Sequence, residues 1–282
     1  MRKKKATHIF IMIFLAGLSL LLYPTVSSSW NAIHASEAVT SYREEADALS
    51  ENQYDELFSA AQSYNSALAE KEQSYGLSEE QQKVYEGLLN LNGSGIMGYI
   101  EIPSIDVELP IYHGTDESVL QRSVGHLDWT SLPVGGENTH CVLSGHRALP
   151  SAKLFTDLNK LNIGDLFMIT VLNRKITYEV DRIETVEPDD VESLEIQEGE
   201  DLCTLFTCTP YGINTHRLLV RGHRVPNGKE SAHITSEAEQ IRPVMVMPFI
   251  TLPFLLIVFA VMRWIDRRKE WDEGAFTDEK VS

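Results

Sequence analysis

Two apolar runs with basic flanks lie near the two ends of this chain, and they limit what the residues between them can become. Arg2-Lys3-Lys4-Lys5 precedes an apolar run from Ile9 to Tyr23, which Pro24 closes. A basic start and a short apolar core fit either a signal peptide or a short transmembrane helix, and Ser27-Ser28-Ser29 permits cleavage nearby. Pro243 to Met262 is about long enough to span a bilayer, and Pro248 and Pro253 are tolerated in such a helix. Arg263, Arg267, Arg268 and Lys269 follow it, with Trp264 and Trp271 as interfacial anchors. The competing reading, a buried core helix, fits neither the length nor the basic flank. The positive-inside rule puts both chain ends in the cytoplasm, unless the first segment is cleaved. Residues 28–242 then lie outside the cell, tethered at both ends to one membrane face.

Charge and cysteine usage narrow the function of that external part. The chain has 24 Lys+Arg against 41 Asp+Glu, a net charge of −17, which argues against a nucleic-acid partner. Three cysteines are too few for a disulfide scaffold. Cys203 and Cys208 are five residues apart in one strand-like run, so they point to opposite faces and cannot pair without bending the backbone. Cys141 and Cys203 read as small core residues with free thiols. No cysteine–histidine cluster has zinc-finger spacing, and no cofactor or metal is expected.

From Ser36 to Asn90 the pattern is helical. Tyr54, Leu57, Phe58, Ala61, Tyr64 and Leu68 recur at three and four residues and line one face, with Glu and Gln on the other. Gly93-Ser94-Gly95 is a flexible joint, and after it the period changes to that of strands. Runs at 99–102 and 107–111 flank Pro103-Ser104, Gly125 to Pro133 reads as a loop, and Gly135-Gly136 leads into a strand at 139–143. Leu166 to Leu172 and Ile176 to Val186 read as a hairpin around Asn173-Arg174-Lys175. Glu187 to Glu200 is an acidic connection. Leu202 to Cys208 and Arg217 to Val220 complete a set of about eight short strands, which suggests a closed or nearly closed β-barrel.

Thr204-Leu205-Phe206-Thr207-Cys208 is a buried strand that ends on a cysteine. Thr204, Phe206 and Cys208 share a face, and Pro210 and Gly212 break the strand just beyond. A thiol at its ordinary pKa is mostly protonated, so a nucleophilic Cys208 needs an imidazole nearby. By position the candidate bases are His140, His146, His216 and His223, and the candidate cations are Arg217, Arg221 and Arg224. The residues alone leave that choice open.

Thr204 to Cys208, with Arg217 after it, resembles the TLxTC motif and following arginine of the sortases, the membrane-bound cysteine transpeptidases of Gram-positive bacteria. The longer run from Thr207 to Leu218 resembles class C, the pilus-building branch. Leu143-Ser144-Gly145-His146-Arg147-Ala148-Leu149-Pro150 is a second motif, whose His146 matches the sortase histidine, and the run from Gly145 to Leu158 also resembles class C, although that class often has Gly where Ala148 stands. The resemblance covers roughly 97–225 and the membrane ends. It implies a mainly β fold: an eight-stranded sortase-type β-barrel with an N-terminal helical region and flanking membrane segments. It also implies that His146, Cys208 and Arg217 are the catalytic residues, as acid/base, nucleophile, and stabiliser of the oxyanion or substrate.

The expected organisation is a basic flank and signal or transmembrane segment at 1–27, an extracellular helical region at 28–95, a catalytic barrel at 96–228, a linker at 229–242, a transmembrane helix at 243–263 and a cytoplasmic tail at 264–282. The implied reaction cleaves an LPXTG-like sorting signal between Thr and Gly through a thioester, which a pilin lysine amine resolves. Its partners are pilin subunits and the membrane. The alternatives are a sortase that anchors proteins to the peptidoglycan precursor, and a non-catalytic membrane-tethered pilin scaffold. Class C members carry a lid with an Asp-Pro-aromatic anchor. Lys71 to Leu89 holds neither Asp nor Pro, which leaves Tyr75 as a substitute anchor if a lid forms.

Overall fold

The computed structural model describes residues 2–71 and 75–228, with side chains from residue 11 onward. The expected linker, second apolar run and tail lie outside the described residues. The first helix, α1, spans Arg2–Asp47 without a break, so it continues past Pro24, where the apolar run closes. Proline removes one backbone hydrogen bond. The turns after it are held by the barrel, where Val39, Tyr42 and Ala46 are buried against Ile96 and Tyr99. This helix is long and apolar enough to cross a membrane.

Helices α2 (Glu51–Ala69) and α3 (Glu79–Gly87) each open on a capping box, Ser50 with Gln53 and Ser78 with Gln81. Each docks by a buried polar group. The Asn65 amide in α2 donates to Leu132 O at 3.0 Å and accepts from Leu132 N at 2.7 Å. Tyr85 in α3 is fully buried; its hydroxyl lies 2.9 Å from His126 Nδ1 and accepts from Gly114 N at 3.0 Å. His126 Nε2 in turn donates to Ser131 O at 2.8 Å, which leaves Nδ1 as the acceptor of the tyrosine proton. Tyr85→Phe leaves both partners without the hydroxyl in a buried site. The expected result is a loss of about 1–3 kcal/mol in a denaturant titration of the whole chain, with no change in the slope.

The remaining residues close an eight-stranded barrel in the order β1-β2-β3-β4-β7-β8-β6-β5. The strands are β1 (Ile96–Ile102), β2 (Val107–His113), β3 (Val124–His126), β4 (Thr139–Ser144), β5 (Leu166–Val171), β6 (Arg174–Val186), β7 (Asp201–Thr209) and β8 (His216–Val225). Pairs β2/β3 and β4/β7 are parallel and the rest antiparallel. The short strand β3 corrects the reading of Gly125 onward as loop. A short helix, α4 (Glu117–Leu120), carries the chain back along the barrel so that β3 can run parallel to β2.

Alternation sorts the side chains. Cys203, Leu205 and Thr207 of β7 are buried, and the first two join the main core with Cys141, Leu143 and Val220. Phe206 faces outward into a second cluster with Val142, Leu194 and Leu219. The strand directions gather the C-terminal ends of β1, β4, β6 and β7, and the N-terminal ends of β2, β3, β5 and β8, at one end of the barrel, the rim.

Candidate active site at the barrel rim

Three neighbouring strands, β4, β7 and β8, bring the expected residues together at this rim. The parallel pairing of β4 with β7 runs to Ser144 opposite Phe206. It is carried one step further by Gly145 N donating to Phe206 O at 3.1 Å and Thr207 Oγ1 donating to Gly145 O at 2.6 Å. The next residues along are His146 and Cys208. Across the antiparallel pair β7/β8, Cys208 lies directly opposite Arg217. His146, Cys208 and Arg217 therefore stand abreast on adjacent strand ends, each about 5 Å of backbone from the next. Cys208 and Arg217 share the outer face, since paired residues of neighbouring strands point the same way, and His146 follows two residues beyond the last paired residue of β4. Cys208 is partly exposed, whereas Cys141 and Cys203 are buried and free, as the sequence suggested. Burial and the neighbouring Cys141 hold the Cys203 thiol well above its ordinary range, which suits an inert core residue.

Local structure fixes each side chain. A Cβ at Gly145 would fall 2.7 Å from a ring carbon of Phe155, so only glycine lets the chain pass over that ring. Phe155 N donates to His146 O at 3.2 Å and ties the following loop beneath the histidine. Ala148 has φ +69°, in the left-handed region where alanine is strained and glycine is not, so glycine is the easier residue at that position. Arg147 bridges the strands, with Nη1 donating to Thr209 Oγ1 at 3.0 Å and Cζ 5.9 Å from the Tyr211 ring centroid.

The rivals separate cleanly. His140 is buried, with Nδ1 2.8 Å from Glu195 O and Nε2 2.7 Å from Thr204 Oγ1, and burial pushes its pKa down to about 4. It is a neutral structural residue, six positions before His146 on the strand. His216 pairs with Thr209, so it points to the opposite face from Cys208, and its Nε2 lies 3.3 Å from Glu187. His223 sits at the other end of β8, 3.7 Å from Asp181. Arg221 shares the face of Arg217, but Asp181 engages its Nε and Nη2, each at 3.0 Å. Arg224 lies farther still from the rim, opposite Tyr178. Arg217 donates only to the main-chain oxygens of Asn214 and His216, at 3.1 and 3.2 Å, with its Cζ 6.0 Å from the Phe206 ring. Its charge has no carboxylate partner among the described residues.

One neighbour was not legible in the sequence. Glu117 Oε2 of α4 lies 3.6 Å from His146 Nε2, brought there by the crossover between β2 and β3. Nothing in a lone glutamate twenty-nine residues upstream signals that approach. Tyr75, the candidate lid anchor, rests edge-on against Trp129 at 5.2 Å between ring centroids and donates to Glu195 Oε1 at 2.9 Å. Glu195 O also meets His140, so Tyr75 stands at the level of His140, roughly 20 Å of strand from His146.

The Sortase domain family matches residues 100–225. Among solved structures, sortase C1 of Streptococcus agalactiae is 49% identical with a TM-score of 0.66, over 68% of this chain and 99% of that one. Sortase C of Clostridium perfringens, solved with the C-terminal cell wall sorting motif, is 43% identical with a TM-score of 0.61, over 68% of this chain and 100% of that one. Sortase D of Bacillus subtilis strain 168 is 34% identical over 131 residues, 45% of this chain and 63% of its own length. So this chain spans somewhat less than two thirds of that curated relative. Identity at this level across whole solved domains with the same barrel leads to one conclusion: the chain belongs to the sortase family, among its class C members.

Proposed function

We propose that this chain is a membrane-anchored cysteine transpeptidase that joins pilin subunits through their sorting signals. The observation that carries the reading is the alignment of His146, Cys208 and Arg217 on three adjacent strand ends, with Arg217 free of any carboxylate partner among the described residues. Helix α1 is the anchor of residues 1–27, and the barrel of 96–228 is the catalytic unit.

The chemistry follows from the residue types. The Cys208 thiolate attacks the threonine carbonyl of an LPXTG-like signal, and the Cys–C bond forms as the carbonyl electrons move to oxygen. Arg217 offers donors to that oxyanion, or to the peptide beside it. The oxyanion collapses, the Thr–Gly bond breaks, and protonated His146 gives its proton to the departing glycine amine. A lysine amine of the next pilin then attacks the thioester, loses a proton to His146, and expels Cys208. The product is an isopeptide bond, and both catalytic groups return to their starting state.

The test uses the full chain in lipid nanodiscs, a purified pilin carrying an LPXTG-like signal, and a wall-peptide amine as competitor. The expected product is a pilin ladder whose junction peptides join threonine to lysine. Exclusive coupling to the wall-peptide amine would instead identify an anchoring sortase.

A further inference from the structure

We infer that the rim of the barrel faces the bilayer and rests on its interface, so that α1 acts as a rigid strut setting the height of Cys208 above the membrane. This rests on the anchor reading of α1 given above. Two contacts fix the direction of the helix along the barrel. Asn31 Nδ2 donates to Ser151 O at 2.8 Å, in the connection that leaves β4 at the rim. Fifteen residues later, Ala46 O accepts from Asn173 Nδ2 at 3.3 Å, in the β5–β6 turn at the opposite end. The membrane side of α1 therefore reaches the barrel at the end that holds His146, Cys208 and Arg217.

The distance between bilayer and rim is short and stiff. From Tyr23 to Asn31 the helix rises only about 12 Å. No loop interrupts it. Tyr42 clamps the upper part, donating from its hydroxyl to Met97 O at 2.9 Å and accepting from Leu172 N at 2.8 Å. Arg43 adds an ion pair to Glu108 and lies 4.4 Å from the Tyr99 ring centroid.

The surface of this end suits a lipid interface. Val26, Trp30 and Ile33 recur at four and three residues and are exposed, which continues an apolar stripe up to the junction at Asn31. An exposed tryptophan at that height is the usual occupant of the headgroup zone. Outside α1, six large apolar side chains are exposed among the described residues. Three of them, Ile163, Tyr211 and Ile213, stand on the two rim connections that follow β4 and β7. All three stand at the end of the barrel that α1 turns toward the bilayer, which covers them. The consequence is a reach rule: the enzyme processes a sorting signal only when its cleavage site lies within a short span of the substrate's own membrane segment.

The test inserts seven helix-forming residues after Thr25 in the full chain, two turns that lift the barrel about 10 Å without turning it appreciably. Parent and lengthened chains are reconstituted in phosphatidylglycerol/phosphatidylcholine vesicles. Each receives a soluble sorting-signal peptide and the same signal joined by a short spacer to a transmembrane helix. The expected result is unchanged cleavage of the soluble peptide and a loss of at least roughly tenfold with the membrane-held one, because a tether too short to span the sites gives almost no effective concentration. Four extra extended residues in the substrate spacer, about 13 Å, should restore the rate. Undiminished cleavage of the membrane-held substrate by the lengthened chain would overturn the inference, as would a loss that no spacer length repairs. A parent chain that cuts neither substrate would instead overturn the catalytic reading, and this inference with it.

Discussion

Cys208→Ala should reduce both cleavage of a sorting signal and polymer formation to background. Among the described residues Cys208 is the one cysteine that is not buried, and in the proposed reaction its thiol carries the acyl chain between the two steps. The other two cysteines cannot stand in, because Cys141 and Cys203 are paired neighbours inside the barrel, buried and shielded from a peptide. A water molecule activated by His146 could at most hydrolyse, which would release the subunit and form no isopeptide bond. The substitution removes one partly exposed sulfur at a strand end, so stability should change by no more than about 0.5 kcal/mol. Urea titration of parent and variant, run beside the cleavage assay, separates lost chemistry from lost fold. Normal polymers from the alanine variant would refute the assignment.

His146→Gln should be the second largest loss, roughly 10²–10⁴ in the rate of cleavage. Glutamine keeps a polar side chain of similar reach but can neither take the thiol proton nor return it to the leaving amine. Both chemical steps need that transfer, so acylation and resolution should fall together. Neither rival histidine offers rescue: His140 is buried and held neutral, and His216 points away from the thiol. The diagnostic contrast is His140→Gln, which should lower stability through its lost contact with Glu195 O while leaving the pH dependence of cleavage in place. A His146→Gln enzyme with parental single-turnover rates would rule out the acid/base role.

The physical source of each expectation decides how well it survives contact with the structure. Strand period, apolar runs and turn residues were enough for seven of the eight strands, because each is closed by Gly, Pro or Asn within two residues of its end. The eighth, β3, is three residues long and begins beside Gly125, too short for alternation to register. It forms because the barrel supplies partners on both sides. The sequence separates an apolar segment at 1–27 from a helical pattern that begins at Ser36, whereas one helix runs through both, since local rules see the proline and not the barrel contacts beyond it.

At the site, the nearness of Cys208 and Arg217 was implicit in a nine-residue strand–turn–strand spacing. The partnership with His146 was not, because it depends on a parallel pairing between strands sixty residues apart, which no local pattern encodes. From the residues alone His140, His146 and His216 were near equals. Burial of His140 and the register of His216, which turns it to the face opposite Cys208, divide them, and both are tertiary facts. Glu117 belongs to the same class, delivered to His146 by a crossover. Ala148 shows the reverse: its left-handed backbone explains why glycine is the easier residue there, a constraint visible in sequence only as a departure.

The most direct test of this account is the intact mass of the full chain after brief exposure to an LPXTG-type peptide without an amine acceptor. The account predicts a mass increase equal to the acyl portion ending in threonine, carried on Cys208, reversed by hydroxylamine and absent in Cys208→Ala. An adduct on Cys141 or Cys203, or cleaved peptide with Cys208 replaced by alanine, would contradict it.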